Sequence, residues 1–390
     1  MGIPTYLVAE SSVLALPQFL INGILNGAIY ALIALGYTMV YGVLRLINFA
    51  HGEVFMFGAY VALLTSYSLG YAPSSTGDPM NPIASLVIML FASMAVCAII
   101  GVLIERFAYR PMRSQPRIAS LITAIGISLL FQFGGALFLP VSPPPSIQER
   151  VNPFRDPIKI VLKGKDSALV EKANTLKPAF EQAQAAYDEQ LKSEKSEFEL
   201  TPTGRELKTK SQDAKRQYED AQRLADSSAN EIVVPKGKFI MLLTSLGLMA
   251  VLWYLVTKTS AGRAMRAVSH DFESASLMGI NVNRVVTLTF VIGSALAGAG
   301  AMMLATFQGA PLTTFFGVQP GVKAFVAAVL GGIGNIPGAV IGGLIMGVAE
   351  DLVIWAGFSS YKDAVALVIL IIVLLFRPGG IMGSAKVEKV

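Results

Sequence analysis

The sequence predicts an all-α polytopic membrane protein with about eight or nine transmembrane helices, one of them broken or re-entrant, and an inserted extracytoplasmic helical hairpin. Three observations support this fold class. Of the 390 residues, 53% are hydrophobic and only 15% are charged, which is too apolar for a soluble domain. Apolar runs of roughly the 20 residues that a bilayer core requires recur along the chain. The charges are unevenly placed, because residues 141–237 hold 16 of the 31 basic and 16 of the 26 acidic residues.

The N-terminal region, residues 1–140, contains four apolar runs that predict spanning helices: 17–44, 54–69, 82–104 and 121–139. The loop between the third and fourth runs is rich in arginine and is therefore cytoplasmic by the positive-inside rule. Its basic residues are Arg106, Arg110, Arg113 and Arg117. Counting back along the chain places the turn at Arg45 inside and the N-terminus outside.

Polar side chains interrupt the first apolar run at a regular spacing. Asn22, Asn26 and Tyr30 recur at every fourth residue and therefore share one helical face. A polar stripe on a membrane helix faces other helices or an aqueous path rather than lipid. These three residues are candidates for the substrate pathway. The alternative is that the asparagines only hydrogen-bond to neighbouring helices.

A second polar group stands at the entry to the second apolar run, at Asn48, His51 and Glu53. Three interpretations stay open: buried hydrogen bonds that hold a kinked helix entry, a place on the substrate pathway, and a proton relay. A metal site is not expected, because it needs three or four ligands and the only other histidine, His270, is far away in sequence.

Residues 141–237 form the predicted middle domain. Apolar residues recur there at alternating spacings of four and three, which is the pattern of a coiled coil: Leu169, Ala173, Leu176, Phe180, Ala183 and Tyr187. A weaker stripe follows the turn signal at 201–204. The segment therefore predicts an antiparallel helical hairpin, with Pro178 kinking the first helix or delaying its start. Because the fourth span ends outside, we expect the hairpin to be extracytoplasmic. A disordered linker is the alternative, and the role of the insert stays open.

The C-terminal region, residues 238–390, contains the remaining spans. The fifth and sixth, at 239–256 and 285–306, flank a polar loop at 258–284. The positive-inside rule makes this loop cytoplasmic, because its first part carries Lys258, Arg263 and Arg266.

Glycine, proline and polar residues interrupt the chain again at 309–321 and 331–338. Such residues at membrane depth imply a broken or re-entrant helix, where free amides can meet a substrate carboxylate. A simple turn outside the membrane is the alternative. Lys323, Gly331 and Gly332 are therefore further pathway candidates. The basic tail favours a cytoplasmic C-terminus, which requires an odd number of crossings after residue 309; the sequence does not decide that number.

The cytoplasmic loop contains a stretch that predicts a short helix followed by a turn. Negative charge in its first turn suits the helix dipole, and glycine is the kind of residue that ends a helix. Glu273, Ser274 and Ala275, followed after three further residues by Gly279, resemble the Glu-Ala-Ala-x-x-x-Gly loop of ABC importer permeases. The resemblance implies a coupling helix that docks on a cytoplasmic ATPase subunit, formed by Asp271, Glu273, Ala275 and Gly279. An ordinary charged loop is the alternative.

Longer stretches resemble the LivH-type permease of branched-chain amino acid ABC importers. Residues 26–42 (NGAIYALIALGYTMVYG) and 47–53 (INFAHGE) are similar to the opening of that permease. Three shorter segments resemble its C-terminal part: 323–325, 331–334 and 377–380. The resemblance covers nearly everything except 141–237, where members of the family usually have a much shorter loop.

The resemblance implies a multi-pass permease subunit of an ABC importer that moves leucine, isoleucine and valine across a bacterial inner membrane. Its expected partners are a second homologous permease, two cytoplasmic ATPase subunits, an extracytoplasmic amino-acid-binding protein and membrane lipid. We expect no cofactor on this chain and ATP to be used by partner subunits, since the glycine-rich run lacks the Gly-Lys-Ser/Thr ending of a phosphate-binding loop.

Other functions stay open as alternatives. The chain could be an importer permease for urea, short amides or other amino acids, or a stand-alone channel or secondary transporter in which His51, Glu53 and Glu350 carry protons. It could also be an interaction scaffold built on residues 141–237. We expect no enzyme activity, because the sequence shows no nucleophile–base pair or metal set. No nucleic-acid partner is expected either, since topology explains the basic residues.

Overall fold

The computed structural model describes residues 5–383, apart from residues 76, 114, 148, 164–166, 194–200 and 229. The chain forms two units. The insert unit comprises Met1–Ala15 and Ile158–Val233, and the membrane unit comprises Leu16–Pro157 and Val234–Val390.

Apolar helices account for the first part of the membrane sequence. In chain order they are α1 (Thr5–Leu44), α2 (His51–Ser66), α3 (Pro82–Ile104), α4 (Arg110–Met112) and α5 (Arg117–Gly135). Turns of π-helix follow α2 and α3, at Tyr67–Tyr71 and Glu105–Tyr109. Helix α3 has the bounds of its apolar run, but α1 and α2 begin earlier than their runs suggest: α1 continues through Pro17, and α2 begins three residues before Val54. The apolar pattern marks the part of a helix that can lie in lipid, not the residue at which the helix begins.

The insert unit is a helical hairpin with two strands at its base. Its elements are β1 (Pro157–Lys163), α6 (Ser167–Ser193), α7 (Pro202–Ser228) and β2 (Asn230–Pro235), and the two strands pair as a sheet. The rings of Phe180 and Tyr218 stack between the helices, with centroids 5.6 Å apart. Pro178 lies inside α6, so the prediction that it delays the helix is wrong. The strand pair was not predicted.

Seven further helices complete the membrane unit: α8 (Lys236–Lys258), α9 (Ser260–His270), α10 (Phe272–Leu277), α11 (Val282–Gln308), α12 (Val318–Gly331), α13 (Ile336–Trp355) and α14 (Lys362–Phe376). Across the described residues, eight helices are long and apolar enough to cross a membrane, which confirms the all-α polytopic fold class. The helix α11 is the most buried of the eight and α14 the least, with 72% and 11% of their most apolar stretches buried. The core of the unit therefore surrounds α11.

Two helices begin in the interior of the membrane unit rather than at its surface. The ring of His51, the first residue of α2, lies against Gly36 of α1. Gly36 is eight residues, or roughly 12 Å, from the end of α1, so the chain turns back into the unit before α2 begins. Gly317, just before α12, packs against the backbone of Gly52. Residues 309–317 are therefore a non-helical segment that leads through the interior of the unit to the 14-residue helix α12, as a re-entrant segment would.

The glycine-rich segment at 331–338 contains a tight turn, because α12 ends at Gly331 and α13 begins at Ile336. The predicted interruption is therefore present, and its depth in the membrane stays a prediction. Gly334 lies beside Gly42, near the end of α1, and the Met382 amide donates to the Gly331 carbonyl over 3.1 Å. Because glycine has no side chain, the ends of the two helices and the segment after α14 can pack closely at these positions. The segment after α14 thus lies beside this turn and near the end of α1, and the side of the membrane on which the C-terminus lies stays a prediction.

Candidate functional site

The candidate coupling segment consists of α9 and α10, which join α8 to α11. Helix α10 begins at Phe272 because the Asp271 side chain caps it: its carboxylate accepts from the Glu273 amide over 2.9 Å and from the Ser274 hydroxyl over 2.5 Å. These hydrogen bonds, the one from the Ser274 hydroxyl above all, hold the pKa of Asp271 below its ordinary value. Gly279 ends the segment with a φ of +81°, a conformation that glycine adopts at no steric cost.

The helix α9 fixes the coupling segment to the membrane unit. Its buried face is formed by Gly262, Met265 and Val268, which recur every third residue. The Arg266 guanidinium donates to the backbone carbonyl of Val256 in α8, and Gly262 lies against the same turn, where a side chain would have no room. Helices α8 and α9 are thus joined as one rigid piece.

The short helix α10 carries an exposed apolar tip. Ala275 is its buried residue, and the Ala275 carbonyl accepts from the Ile280 amide over 3.1 Å. Leu277 and Met278, which follow it, are each 84% exposed, and the carboxylate of Glu273 is exposed on the same helix. An exposed cluster of apolar side chains beside a charge has the composition of a protein interface.

A buried carboxylate ties the end of α3 to the beginning of α11, the helix that follows the coupling segment. Glu105 is completely buried and accepts a bidentate pair of hydrogen bonds from Arg110, over 2.8 and 3.1 Å, as well as an ion pair from Arg113. The Thr287 hydroxyl of α11 donates to the same carboxylate over 2.9 Å. A buried charge needs such complete pairing. Sequence analysis did not single out Glu105, because a single acid in an arginine-rich loop is typical of a membrane boundary.

A second polar network joins α1, α12, α13 and α14. Lys323 forms ion pairs with Glu350 and with Asp363, the latter over 2.7 Å. The Tyr30 hydroxyl donates to Glu350 over 2.7 Å, and the Lys323 ammonium lies 5.7 Å from the centre of the Tyr30 ring. Lys323 and Glu350 are only 7% and 6% exposed. The network therefore keeps a buried lysine between two carboxylates.

Asn26 extends this network to α8. Its amide donates to Asp351 over 3.0 Å, and its oxygen accepts from the Lys238 ammonium over 3.2 Å. We call this set of polar and charged residues the outer network; its members are Asn26, Tyr30, Lys238, Lys323, Glu350, Asp351 and Asp363. Asn22 makes a local contact instead, since it accepts from Gln18 within α1 over 3.1 Å. The three-residue stripe that the sequence predicts on α1 thus contributes two members to the outer network.

Two of the three polar residues at the entry to α2 are held by hydrogen bonds. Asn48 accepts from the Tyr109 hydroxyl over 3.2 Å, and Glu53 accepts from the Gln132 amide over 2.6 Å. The imidazole of His51 is buried against α1. These contacts favour a hydrogen-bonded helix entry for Asn48 and Glu53, whereas the two ring nitrogens of His51 have no hydrogen-bond partner among the described residues. The role of the three residues in a substrate pathway stays a prediction.

The predicted site residues fall into separate places. Asn26, Tyr30 and Lys323 come together in the outer network. Gly331 and Gly332 lie at the other end of α12, packed against the backbone of neighbouring glycines. Four residues that the sequence did not place in the pathway complete the network: Lys238, Glu350, Asp351 and Asp363. All four lie near the ends of apolar runs, where a charged residue is typical of a membrane boundary and does not indicate a site. Only Glu350 and Asp351 could have been noticed, because they precede the last residues of a span.

Comparison with known proteins identifies relatives along nearly the whole chain. Residues 19–158 and 190–374 match the family described as branched-chain amino acid transport system / permease component. The segment between the two matches lies within the insert. No solved structure matches the chain.

Two relatives that align with nearly the whole chain have the same description. The chain is 35% identical over 377 residues to the high-affinity branched-chain amino acid transport system permease protein BraD of Pseudomonas aeruginosa, covering 96% of this chain and 97% of the relative. It is 34% identical over 375 residues to the corresponding permease LivH of Escherichia coli, with coverage of 96% and 97%. A shorter similarity, 33% over 132 residues, covers 32% of this chain and 40% of the ribose import permease protein RbsC of Escherichia coli.

Proposed function

The chain belongs to the family of branched-chain amino acid transport system permeases, and on this premise we propose that it is the permease subunit of an ABC importer for leucine, isoleucine and valine. It is a multi-pass protein of the inner membrane. Two relatives with this transport role align with almost its full length, through the coupling segment and the outer network alike.

We propose that α10 is the contact through which ATPase subunits drive transport. The observation that carries this proposal is the exposed tip of α10, where Leu277 and Met278 stand on a helix that is capped by Asp271 and fixed to α8 through α9. A rigid, apolar and exposed helix end can fill a socket on a partner without losing much conformational entropy. The positive-inside count places it in the cytoplasm.

The complete importer, in this proposal, contains a second homologous permease, two ATPase subunits and an extracytoplasmic amino-acid-binding protein. ATP is bound and hydrolysed by the ATPase subunits, and this chain acts without a cofactor and without enzyme activity of its own. Closure of the ATPases shifts α10, and with it α9 and α11, so that the permease pair alternates between an outward and an inward opening.

The outer network is the proposed binding site for the charged groups of the substrate along its pathway. An amino acid carries a carboxylate and an ammonium group, and Lys323 and Glu350 supply the complementary charges within one network. The mostly apolar surroundings suit the aliphatic side chains of leucine, isoleucine and valine. Asn22, Asn48, His51 and Glu53 remain pathway candidates of lower rank, because their contacts are local or structural.

A transport experiment tests the function directly. The tagged chain is purified in mild detergent with whatever proteins accompany it, the proteins are identified by mass spectrometry, and the preparation is reconstituted into liposomes with ATP. We expect recovery of ATPase subunits and a second permease, and ATP-dependent uptake of labelled leucine, isoleucine and valine with the binding protein present. Ribose and urea serve as control substrates. Uptake of ribose or urea in place of leucine would contradict the substrate class, and recovery of the chain alone with ATP-independent flux would contradict the importer.

A further inference from the structure

A basic cleft lies between the end of α3 and the beginning of α11. Its volume is about 590 Å³, and three arginines line it: Arg106, Arg110 and Arg284. Its lining also contains the apolar side chains of Val102, Leu288 and Val291 and the polar side chains of Asn281, Asn283 and Thr287. The cleft therefore combines positive charge with hydrocarbon surface.

The positive charge of the cleft is not balanced by the protein. Arg110 is paired with Glu105, and the carboxylate of Glu105 is already shared with Arg113 and Thr287. Within the described part of the chain, the side chains of Arg106 and Arg284 form no hydrogen bond or ion pair, although both are exposed at the cleft. Two guanidinium groups are thus available to an anion. Arginine binds phosphate and carboxylate oxygens in a bidentate manner, so the two guanidinium groups suit an oxyanion better than a halide.

The position of the cleft favours a ligand that carries an apolar tail as well as a negative charge. Its walls belong to two membrane-spanning segments, Pro82–Met112 and Val282–Gln308, at the end where the positive-inside rule places the cytoplasm. The neighbouring side chains of Leu103, Phe107 and Leu288 are 48%, 72% and 36% exposed, as expected of a surface that faces acyl chains. Basic pockets between spans at the cytoplasmic boundary have the chemistry that holds anionic lipid headgroups.

We propose that this cleft binds one anionic phospholipid of the cytoplasmic leaflet, with the phosphate between Arg106 and Arg284 and the acyl chains along Val102, Leu288 and Val291. The lipid neutralises the two unpaired arginines and joins the end of α3 to the first turns of α11. Because α11 directly follows the coupling segment, the bound lipid stabilises the position from which α10 meets its partner. The binding itself does not depend on the proposed transport function.

Native mass spectrometry of the full chain tests the proposal. Phosphatidylglycerol is titrated into the detergent-solubilised protein, and the fraction of chains that retain one lipid is measured. The test variant is Arg106→Gln with Arg284→Gln. The control is Lys258→Gln with Arg377→Gln, which removes the same number of charges from positions at the ends of α8 and α14. Since each basic residue near anionic lipid contributes about fivefold to the affinity, we expect the test variant to need roughly 30-fold more phosphatidylglycerol and the control about as much as the unsubstituted chain.

Two further arms distinguish the sources of the phosphate. Phosphatidylcholine replaces phosphatidylglycerol in one arm, and inorganic phosphate is added as a competitor in the other; the proposal predicts weak retention of phosphatidylcholine and no competition by phosphate. Equal retention of phosphatidylglycerol by the test and control variants would overturn the site. Displacement of the lipid by millimolar phosphate would overturn it as a lipid site. Loss of ATPase subunits from the test variant, with lipid retention unchanged, would assign the arginines to a protein interface instead.

Discussion

Gly317 and Gly52 pack backbone against backbone, so closely that a methyl group on Gly317 would overlap the Gly52 carbonyl. This contact joins the first turn of α2 to the segment that leads into α12, two helices that begin inside the membrane unit and run toward opposite sides. The neighbouring Gly321 extends the contact, since its Cβ position lies 3.0 Å from the Gly52 Cα atom. Non-helical backbone at membrane depth is tolerated where protein covers it, and this glycine contact provides that cover.

We predict that Gly317→Ala destabilises the protein. The added methyl group has no space and forces the two helix entries apart, at a cost of about 1–3 kcal/mol. The measurement is the thermal unfolding midpoint in detergent, together with the monodisperse fraction by size-exclusion chromatography. Gly247→Ala in α8 is the matched control, because nothing lies within 4 Å of a Cβ there. An unfolding midpoint for Gly317→Ala equal to that of the control would show that the two helices do not meet at this contact.

A second prediction concerns Lys323, whose side chain is 8% exposed. Lys323→Met leaves the Glu350 carboxylate buried without its cation, which costs roughly 3–5 kcal/mol. The double variant Lys323→Met with Glu350→Met removes that uncompensated charge, while Asp363, whose side chain is 49% exposed, can return to water. We therefore expect the double variant to be more stable than the single one, measured by thermal unfolding. Lys362→Met, an exposed lysine at the start of α14, serves as the control and should change little. A single variant as stable as the control would contradict the buried ion pair.

The sequence predicted the spanning helices well and the non-helical segments between them less well, for physical reasons. Spans are set by local composition, so the apolar runs located the spanning helices and the basic loops indicated their orientation. The interruptions at 309–317 and 331–338 both contain glycine, proline and polar residues. Only the packing of Gly317 on Gly52 and of Gly334 beside Gly42 shows that the first lies inside the unit and the second at a helix end.

The coupling segment and the outer network show the same contrast. The helix α10 is short and its cap joins residues two and three positions apart, such as Asp271 and Ser274, so short-range sequence patterns were sufficient to predict the helix. They placed Asp271 in the first turn, whereas it is the capping residue before that turn. The outer network joins Tyr30 to Glu350 across most of the chain. No periodicity within one helix encodes such a pair, and sequence analysis could name Tyr30 as a polar position without naming its partner.

Removal of the insert should leave transport largely intact. The strands β1 and β2 pair at the base of the hairpin, so the chain ends at Pro157 and Val234 lie about one strand spacing, or roughly 5 Å, apart. A short glycine-serine linker can bridge that distance in place of residues 158–233. Uptake of labelled leucine by cells that depend on the shortened chain is the measurement, with membrane insertion checked by immunoblot. Complete loss of uptake at normal membrane levels would instead favour the scaffold interpretation.

The cap of α10 gives a prediction of pH dependence. The pKa of Asp271 is lower in the folded chain than the ordinary value of about 3.9, so its contribution to the cap is fully present above that ordinary value and is lost as the pH falls through the lower, folded pKa. Between pH 5 and 8 the cap should therefore be constant. Asp271→Ala removes it at every pH, and Asp271→Asn retains an acceptor oxygen. Hydrogen exchange of the Glu273 and Ser274 amides is the measurement: we expect fast exchange in the alanine variant and slow exchange in the other two proteins.

The reversal of one exposed charge on α10 tests the coupling segment itself. Glu273 is exposed in the first turn of the helix, so Glu273→Arg leaves the membrane unit intact, but places a positive charge at the positive end of the helix and at the proposed ATPase contact. We expect normal membrane levels, weaker co-purification of ATPase subunits and at least a tenfold loss of ATP-dependent leucine uptake, since an interface charge of the wrong sign costs more than the roughly 1.4 kcal/mol that a tenfold change represents. Asp78→Arg makes the same charge change in the exposed turn before α3 and should transport normally. If Glu273→Arg transports as well as Asp78→Arg while Leu277→Asp with Met278→Asp also keeps full uptake, then α10 is not the contact through which ATP drives this permease.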